Sequence, residues 1–329
     1  MFRFSYLCRL RDSISPTTMI RGSRHADCAL DRPVVWLRAS TSVNMSSEAD
    51  IRNYFESAKE LVLKAGEIFK RGFEGEKVVE SKAEEWDLVT DYDKNIEQLL
   101  INGLKAKFPD HEFIGEETMA DTKETPLLTD KPTWIIDPID GTVNYINSFP
   151  HTCISVGLTV SKELVVGIIY NPIFSELYTA VKGQGACLNE KPIKSSGVTE
   201  LKQALIEIEP ATIRFSDKNR DVRVGRFEAY IQAARGVRSM GSSAMALAYV
   251  ARGALDGYHM DLLKPWDVAA GVLILREAGG TVINAKGDEF DVMKPDTTIA
   301  AGNDKLASRI QKLIIDTDLK VLRKRLTKC

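Results

Sequence analysis

The segment WIIDPIDGTVNY, residues 134–145, runs an apolar lead straight into two aspartates three positions apart. Trp134, Ile135 and Ile136 read as a buried strand. Pro138 has no N–H to give a ladder, so the strand is expected to end near Asp137. Gly141 permits a tight or unusual backbone geometry, and Thr142 is expected to cap a following helix with its hydroxyl. A helix opening there points free N–H groups at the place that Asp137 and Asp140 face. Carboxylates beside an anion-accepting helix end make chemical sense if hard cations lie between them and a bound phosphate.

Two more acids are delivered in the same way. Glu116 follows Phe113-Ile114-Gly115, and Asp267 follows Trp266 at the head of the apolar run VAAGVLIL. Taken singly, each acid has an ordinary reading. Asp137 and Asp140 suit a turn and a helix cap, Glu116 a solvated loop, and Asp267 the first turn of a helix, where the dipole favours a negative charge. Taken together they offer several oxygen ligands across a cleft, the donor set that Mg²⁺ prefers. Without a cation, so many close carboxylates would repel one another.

Outward from this centre the chain alternates helices and strands. Residues 50–70 carry apolar side chains at 51, 54, 55, 58, 61, 62, 65, 68 and 69, a helical stripe. Thr90 or Asp91 begins a second helix that ends at Pro109-Asp110. Residues 153–160 and 164–170 form a hairpin across Ser161-Lys162-Glu163, followed by a strand at 176–180. A boundary is expected near Cys187. Beyond it come a strand at 205–209, helices at 225–234 and 242–252, a strand at 256–260, and a helix at 265–278 with Pro265 in its first turn and Gly279-Gly280 after its end. Strands near 282–283 and 298–301 and a terminal helix at 306–314 complete a layered α/β arrangement of two related halves, 45–187 and 188–329.

Composition excludes other classes. The chain has 329 residues, 44% hydrophobic and 27% charged, with a formal net charge of -2. No basic patch is interleaved with aromatics, so a nucleic-acid partner is not expected. No apolar run is long enough to cross a bilayer. Cys8, Cys28, Cys153, Cys187 and Cys329 show no metal or disulfide spacing, which suits a reducing, cytoplasmic setting. Residues 1–44 hold seven arginines against three aspartates and lack clear periodicity. They read either as an upstream extension or as a mitochondrial-type presequence.

The motifs WIIDPIDGTVNY and PWDVAAGVLILREAGG, with GEE at 115–117 and DLVTDYDKNIE at 87–97, resemble the inositol monophosphatase family of the fructose-1,6-bisphosphatase-like superfamily. The resemblance spans about residues 46–315. It implies an α/β fold, a layered αβαβα sandwich. It also implies a Mg²⁺-dependent, lithium-sensitive phosphatase with two to three ions per subunit, acting on a small-molecule phosphate monoester, and a homodimer. On this pattern Asp137 bridges two metals and Glu116 serves the activating and third metals. The Ile139 carbonyl is a further ligand, and Asp140 and Asp267 complete the second site. Thr142 orients the attacking water, Asp93 is the acid paired with that threonine, and the N–H groups of Gly141 and Thr142 hold phosphate. Lys82 matches a lysine on a mobile loop.

Three positions depart from the pattern. Val143 stands where a second threonine is usual. Ser243, after Ser242, replaces a small alanine whose backbone faces inositol in the animal enzymes. Met260 replaces a glutamate that contacts an inositol hydroxyl there, and a thioether cannot accept so strong a hydrogen bond. The adjacent Asp261 could supply the carboxylate instead. Inositol monophosphates are therefore the first substrate expectation, with a sugar phosphate, histidinol phosphate or a phosphonucleotide as the alternative. A scaffold that kept the fold and lost its metals would lack Asp137, Asp140 or Glu116; all three are present.

Overall fold

Ser47 and Asp50 exchange hydrogen bonds in a capping box, and from there an amphipathic helix, α1 (Glu48–Glu74), buries Ala58, Val62, Ala65 and Phe69. The computed structural model describes residues 47–81, 88–120, 126–215, 219–287 and 289–327. Lys82 and the 1–44 segment lie outside the described residues. All described residues belong to one compact unit.

After α1 come a short antiparallel pair, β1 (Val79–Ser81) and β2 (Leu88–Thr90), then α2 (Asp91–Lys107). Next are β3 (Glu112–Gly115), the short α3 (Glu116–Met119), β4 (Thr133–Asp140) and the short α4 (Thr142–Ile146). The hairpin strands follow as β5 (Cys153–Val160) and β6 (Glu163–Asn171), with β7 (Glu176–Val181), β8 (Ala186–Leu188) and β9 (Lys191–Pro192) beside them. The remainder is β10 (Leu205–Ile208), α5 (Arg220–Ala233), β11 (Gly236–Arg238), α6 (Ser243–Ala251) and β12 (Gly257–Asp261). It closes with α7 (Pro265–Glu277), β13 (Thr281–Asn284), β14 (Thr297–Ala301) and α8 (Asp304–Leu326).

Strands β3 to β9 form a seven-stranded sheet in sequence order, and a five-stranded sheet runs β11-β10-β12-β14-β13. Alternation along β4 sets the layers. Trp134 and Ile136 pack with α1 and α2, while Ile135 packs with α6 and α7. All eight residues of β4 are buried, as expected of a strand covered on both faces. Helices α6 and α7 also cover Tyr258, Val282 and Ala300 of the smaller sheet, whose other face buries Ile206, Ile208 and Ile299 against Tyr230 and Leu306. The result is an αβαβα sandwich of five layers. Each large aliphatic or aromatic side chain taken out of water contributes about 1.5–3 kcal/mol.

Several expectations are corrected. Strand β4 does not stop at Asp137 but runs through Pro138 to Asp140, with a register shift against β5 between those two aspartates. A bulge tolerates the missing N–H. Helix α5 begins at Arg220, earlier than its apolar pattern. Helix α8 continues twelve residues past Ile314. Its extra turns are tied to α5 by Arg226, which holds both carboxylate oxygens of Asp318, and by the Arg325–Asp221 pair.

Candidate metal centre

Residues three apart on a regular strand point to opposite faces. The bulge in β4 adds one residue and turns Asp137 and Asp140 to the same side. Asp267, in the first turn of α7, reaches them from the facing layer, and the three carboxylates each offer an oxygen within 4.8 Å of the others. The Ser155 hydroxyl donates to the Trp266 carbonyl at 3.2 Å and so fixes the head of α7 against β5. Glu116 arrives alongside because β3 is parallel to β4, with Gly115 opposite Ile136. Its carboxyl hydrogen-bonds that of Asp137.

Each member of the trio is gripped by backbone. Asp137 accepts from the Ile139 N–H at 3.0 Å, and Asp267 from the Lys264 N–H at 2.7 Å. Asp140 accepts from the Ala244 N–H at 2.9 Å and from the Ser242 hydroxyl, at the start of α6. Burial, then the charges of Glu116, Asp140 and Asp267, push the Asp137 carboxyl well above its usual range. Burial and then Asp140 do the same to Asp267. Burial raises Asp140 to about 6 despite its hydrogen bonds. Crowded carboxylates that resist ionisation, with only hard oxygen donors, are the chemistry a divalent cation relieves. The trio can hold a divalent metal.

Gly141 adopts φ +83°, and a Cβ there would meet the Gly241 and His151 carbonyls at 3.0 and 3.2 Å. It is the N-cap of α4. Thr142 does not cap the helix with its hydroxyl; it is the first helical residue, and its Oγ1 donates back to the Ile139 carbonyl at 3.2 Å. Asp93 is buried in α2, where its Oδ2 accepts from the Thr90 N–H at 2.8 Å and hydroxyl at 2.5 Å.

A cavity of about 510 Å³ opens beside the trio, lined among others by Asp140, Ser242, Ser243 and Met260. Asp261 does not line it. Neighbours in a strand point to opposite faces, and Asp261 instead accepts from Arg226 Nη1 at 2.8 Å, with His259 Nε2 at 3.4 Å. The carboxylate proposed to stand in for a glutamate at position 260 is thus committed to the layer behind the sheet.

Sequence reasoning missed three contributors. Glu97 accepts from the N–H groups of Glu117 and Thr118, both at 2.8 Å, and so anchors the turn that presents Glu116. A Cβ at position 115 would lie 2.5 Å from that carboxylate, which explains Gly115. The available signal was an acid on the buried stripe of α2 at Asp93, Glu97, Leu100 and Leu104. Asn144 donates to the carbonyls of His151 and Met240 at 2.7 and 2.6 Å, tying α4 to the loop before α6. Cys153, opposite Asp140 in the ladder, brings its Sγ within 3.9 Å of Asp140 Oδ2. Burial first, then the neighbouring Asp140 and Asp137, push the pKa of this thiol well above its ordinary value, which favours the thiol over the nucleophilic thiolate.

The model of the inositol monophosphatase family matches residues 50–317. The chain belongs to that family. It is 46% identical over 250 residues to inositol monophosphatase 3 of Solanum lycopersicum, covering 75% of this chain and 92% of the tomato protein. The solved structure of the extragenic suppressor protein SuhB from Bartonella henselae superposes with a TM-score of 0.70 at 29% identity, covering 79% of this chain and 97% of SuhB. SaIMPase-II, solved with inositol monophosphate bound, gives a TM-score of 0.69 at 25% identity over 84% of this chain and 98% of its own. The same protein solved with 2′AMP bound gives 0.69, 25%, 84% and 100%. Membership in the inositol monophosphatase family and the acidic trio together make this chain a phosphatase of that superfamily. Among the described residues no helix is long and apolar enough to cross a membrane.

Proposed function

We propose that the protein hydrolyses inositol monophosphates to myo-inositol and phosphate, with water as nucleophile and Mg²⁺ as cofactor. The observation that carries this reading is the Asp137–Asp140–Asp267 trio, two of its members buried and Asp267 half-buried, at the edge of a cavity large enough for a small phosphate ester. Two to three ions would be held by these residues with Glu116 and the Ile139 carbonyl. Bound Mg²⁺ supplies Lewis-acid charge that acidifies a water, neutralises the phosphate and steadies the departing alkoxide. The chain does the positioning. Thr142 offers its hydroxyl to orient the attacking water, and Asp93 takes up the proton. The N–H groups of Gly141 and Thr142 hold the phosphate, and the cavity holds the leaving group. Inhibition by Li⁺ at the Asp140–Asp267 side, a homodimer and a cytoplasmic location belong to the same reading.

A second substrate reading has its own support. Met260 lines the cavity and offers no strong acceptor to a polyol hydroxyl, and SaIMPase-II has been solved with two different phosphate esters. A sugar phosphate, histidinol phosphate or phosphonucleotide would then be preferred. The test is a substrate panel in Mg²⁺: inositol 1-phosphate, a sugar phosphate, histidinol phosphate and phosphoadenosine phosphate, compared by kcat/KM. Highest kcat/KM on inositol 1-phosphate is expected. Preference for another ester selects the second reading, and no turnover of any ester overturns both. Uncompetitive inhibition by Li⁺ and sedimentation as a dimer are measured on the same preparation.

A further inference from the structure

We propose that Glu207 is a specificity-determining residue that bonds a hydroxyl of the leaving group, an inference that rests on the phosphatase reading above. Along β10, Ile206 and Ile208 face the α5–α8 layer, so Glu207 faces the opposite way, toward α6. It pairs with Tyr258 of β12 in a parallel register. Tyr258 and Met260 lie two apart on that same face, and all three line the cavity beside Asp140 and Ser243. Glu207 therefore stands one strand over from Met260, on the wall a leaving group would touch.

Its partners are incomplete. Glu207 is 1% exposed, yet its Oε2 has no hydrogen-bond partner among the described residues. The Met240 N–H bonds the carboxyl from one side. Neighbouring polar groups of the wall are matched with one another: Tyr258 donates to Ser243 at 3.0 Å, and Ser239 to Glu209 at 3.1 Å. A buried oxygen without a partner is costly, and a hydroxyl entering the cavity satisfies it. Burial, then the nearby Glu209, push the Glu207 carboxyl up to about 8. A protonated acid can both donate to and accept from a hydroxyl, and it does not repel the substrate's phosphate. A site built to bond a hydroxyl discriminates against esters that lack one.

The experiment compares kcat/KM for inositol 1-phosphate with that for phenyl phosphate, which has no hydroxyl, in wild type and in Glu207→Val, Glu207→Asp and Glu207→Gln. The ratio is expected to fall about tenfold in Glu207→Val and about threefold in Glu207→Asp, whose acid is withdrawn by one methylene. Glu207→Gln, which still donates and accepts, should restore most of it. If Glu207→Val does not fold, Glu207→Asp decides. A ratio unmoved in the folded variants, or a parallel loss on both substrates, overturns the role of Glu207 while leaving the phosphatase reading intact. A wild-type protein that cleaves neither ester overturns both.

Discussion

At the acidic centre every carboxylate of the trio is held by a backbone N–H: Asp137 by Ile139, Asp140 by Ala244 and Asp267 by Lys264. The wall made by β10 and β12 is different. There Glu207 keeps an unmatched oxygen, and Met260 presents a thioether with three rotatable bonds. The centre is preorganised by elements that meet at strand and helix ends. The wall is set by single side chains on two strands. A change of residue on the wall can alter which leaving group binds without disturbing where the phosphate would sit, whereas a change at the centre removes the chemistry for every substrate.

The hardest test of that contrast is Asp137→Asn. Activity on all phosphate esters should fall about a thousandfold, equivalent to about 4 kcal/mol of transition-state stabilisation, with the circular dichroism spectrum retained because Asn has the shape of Asp and can still accept the Ile139 N–H. Near-normal turnover in Mg²⁺ would break the assignment of the centre.

Next in size is the link between metal, protons and stability. A carboxyl whose folded pKa lies above its unfolded value binds its proton more tightly in the folded state, so stability is lost as pH rises through that range. Asp140 at about 6, with the Asp137 and Asp267 carboxyls also raised well above their usual range, should make the metal-free protein less stable at pH 7.5 than at pH 5. Mg²⁺ competes with those protons. Its effect on Tm, measured by calorimetry, should be several degrees at pH 7.5 and much smaller at pH 5. An equal shift at both would show that the trio is not where the ion binds.

On the wall the expected effects are smaller and selective. Met260→Glu should raise kcat/KM for inositol 1-phosphate relative to a sugar phosphate by about tenfold, the worth of about 1.4 kcal/mol in one charged hydrogen bond. Loss on both esters alike would mean that position 260 governs packing and not recognition. Asp261→Asn should leave the same ratio within about twofold, since that carboxylate faces Arg226. Its cost, about 1–2 kcal/mol, should appear in urea unfolding. A large shift in the ratio would return Asp261 to the substrate.

The acids of the centre were legible because each borders an apolar run, and a strand or helix that must be buried carries the residues beside its apolar run to a predictable place. The helical stripe of α1, the β5–β6 hairpin and Pro265 in the first turn of α7 were legible for the same reason: local periodicity and backbone chemistry act within a few residues. The passage of β4 through Pro138 was not, because the bulge exists only against its neighbour β5. Nor was the length of α8, whose later turns leave the apolar Ile315, Leu319, Leu322 and Leu326 exposed outside the core and are joined to α5 by ion pairs.

By itself the sequence determined the layered α/β class, the family and the four acids, since these follow from apolar periodicity and from a motif confined to short segments. Only the tertiary structure decided which face of β12 meets the cavity, sending Met260 to it and Asp261 to Arg226. It also decided the state of Glu207. The alternation Leu205-Ile206-Glu207-Ile208-Glu209 suits a strand with one wet face. The glutamate is buried because α6 and the seven-stranded sheet lie beyond it, and burial of that second face is a property of distant segments that no local pattern encodes.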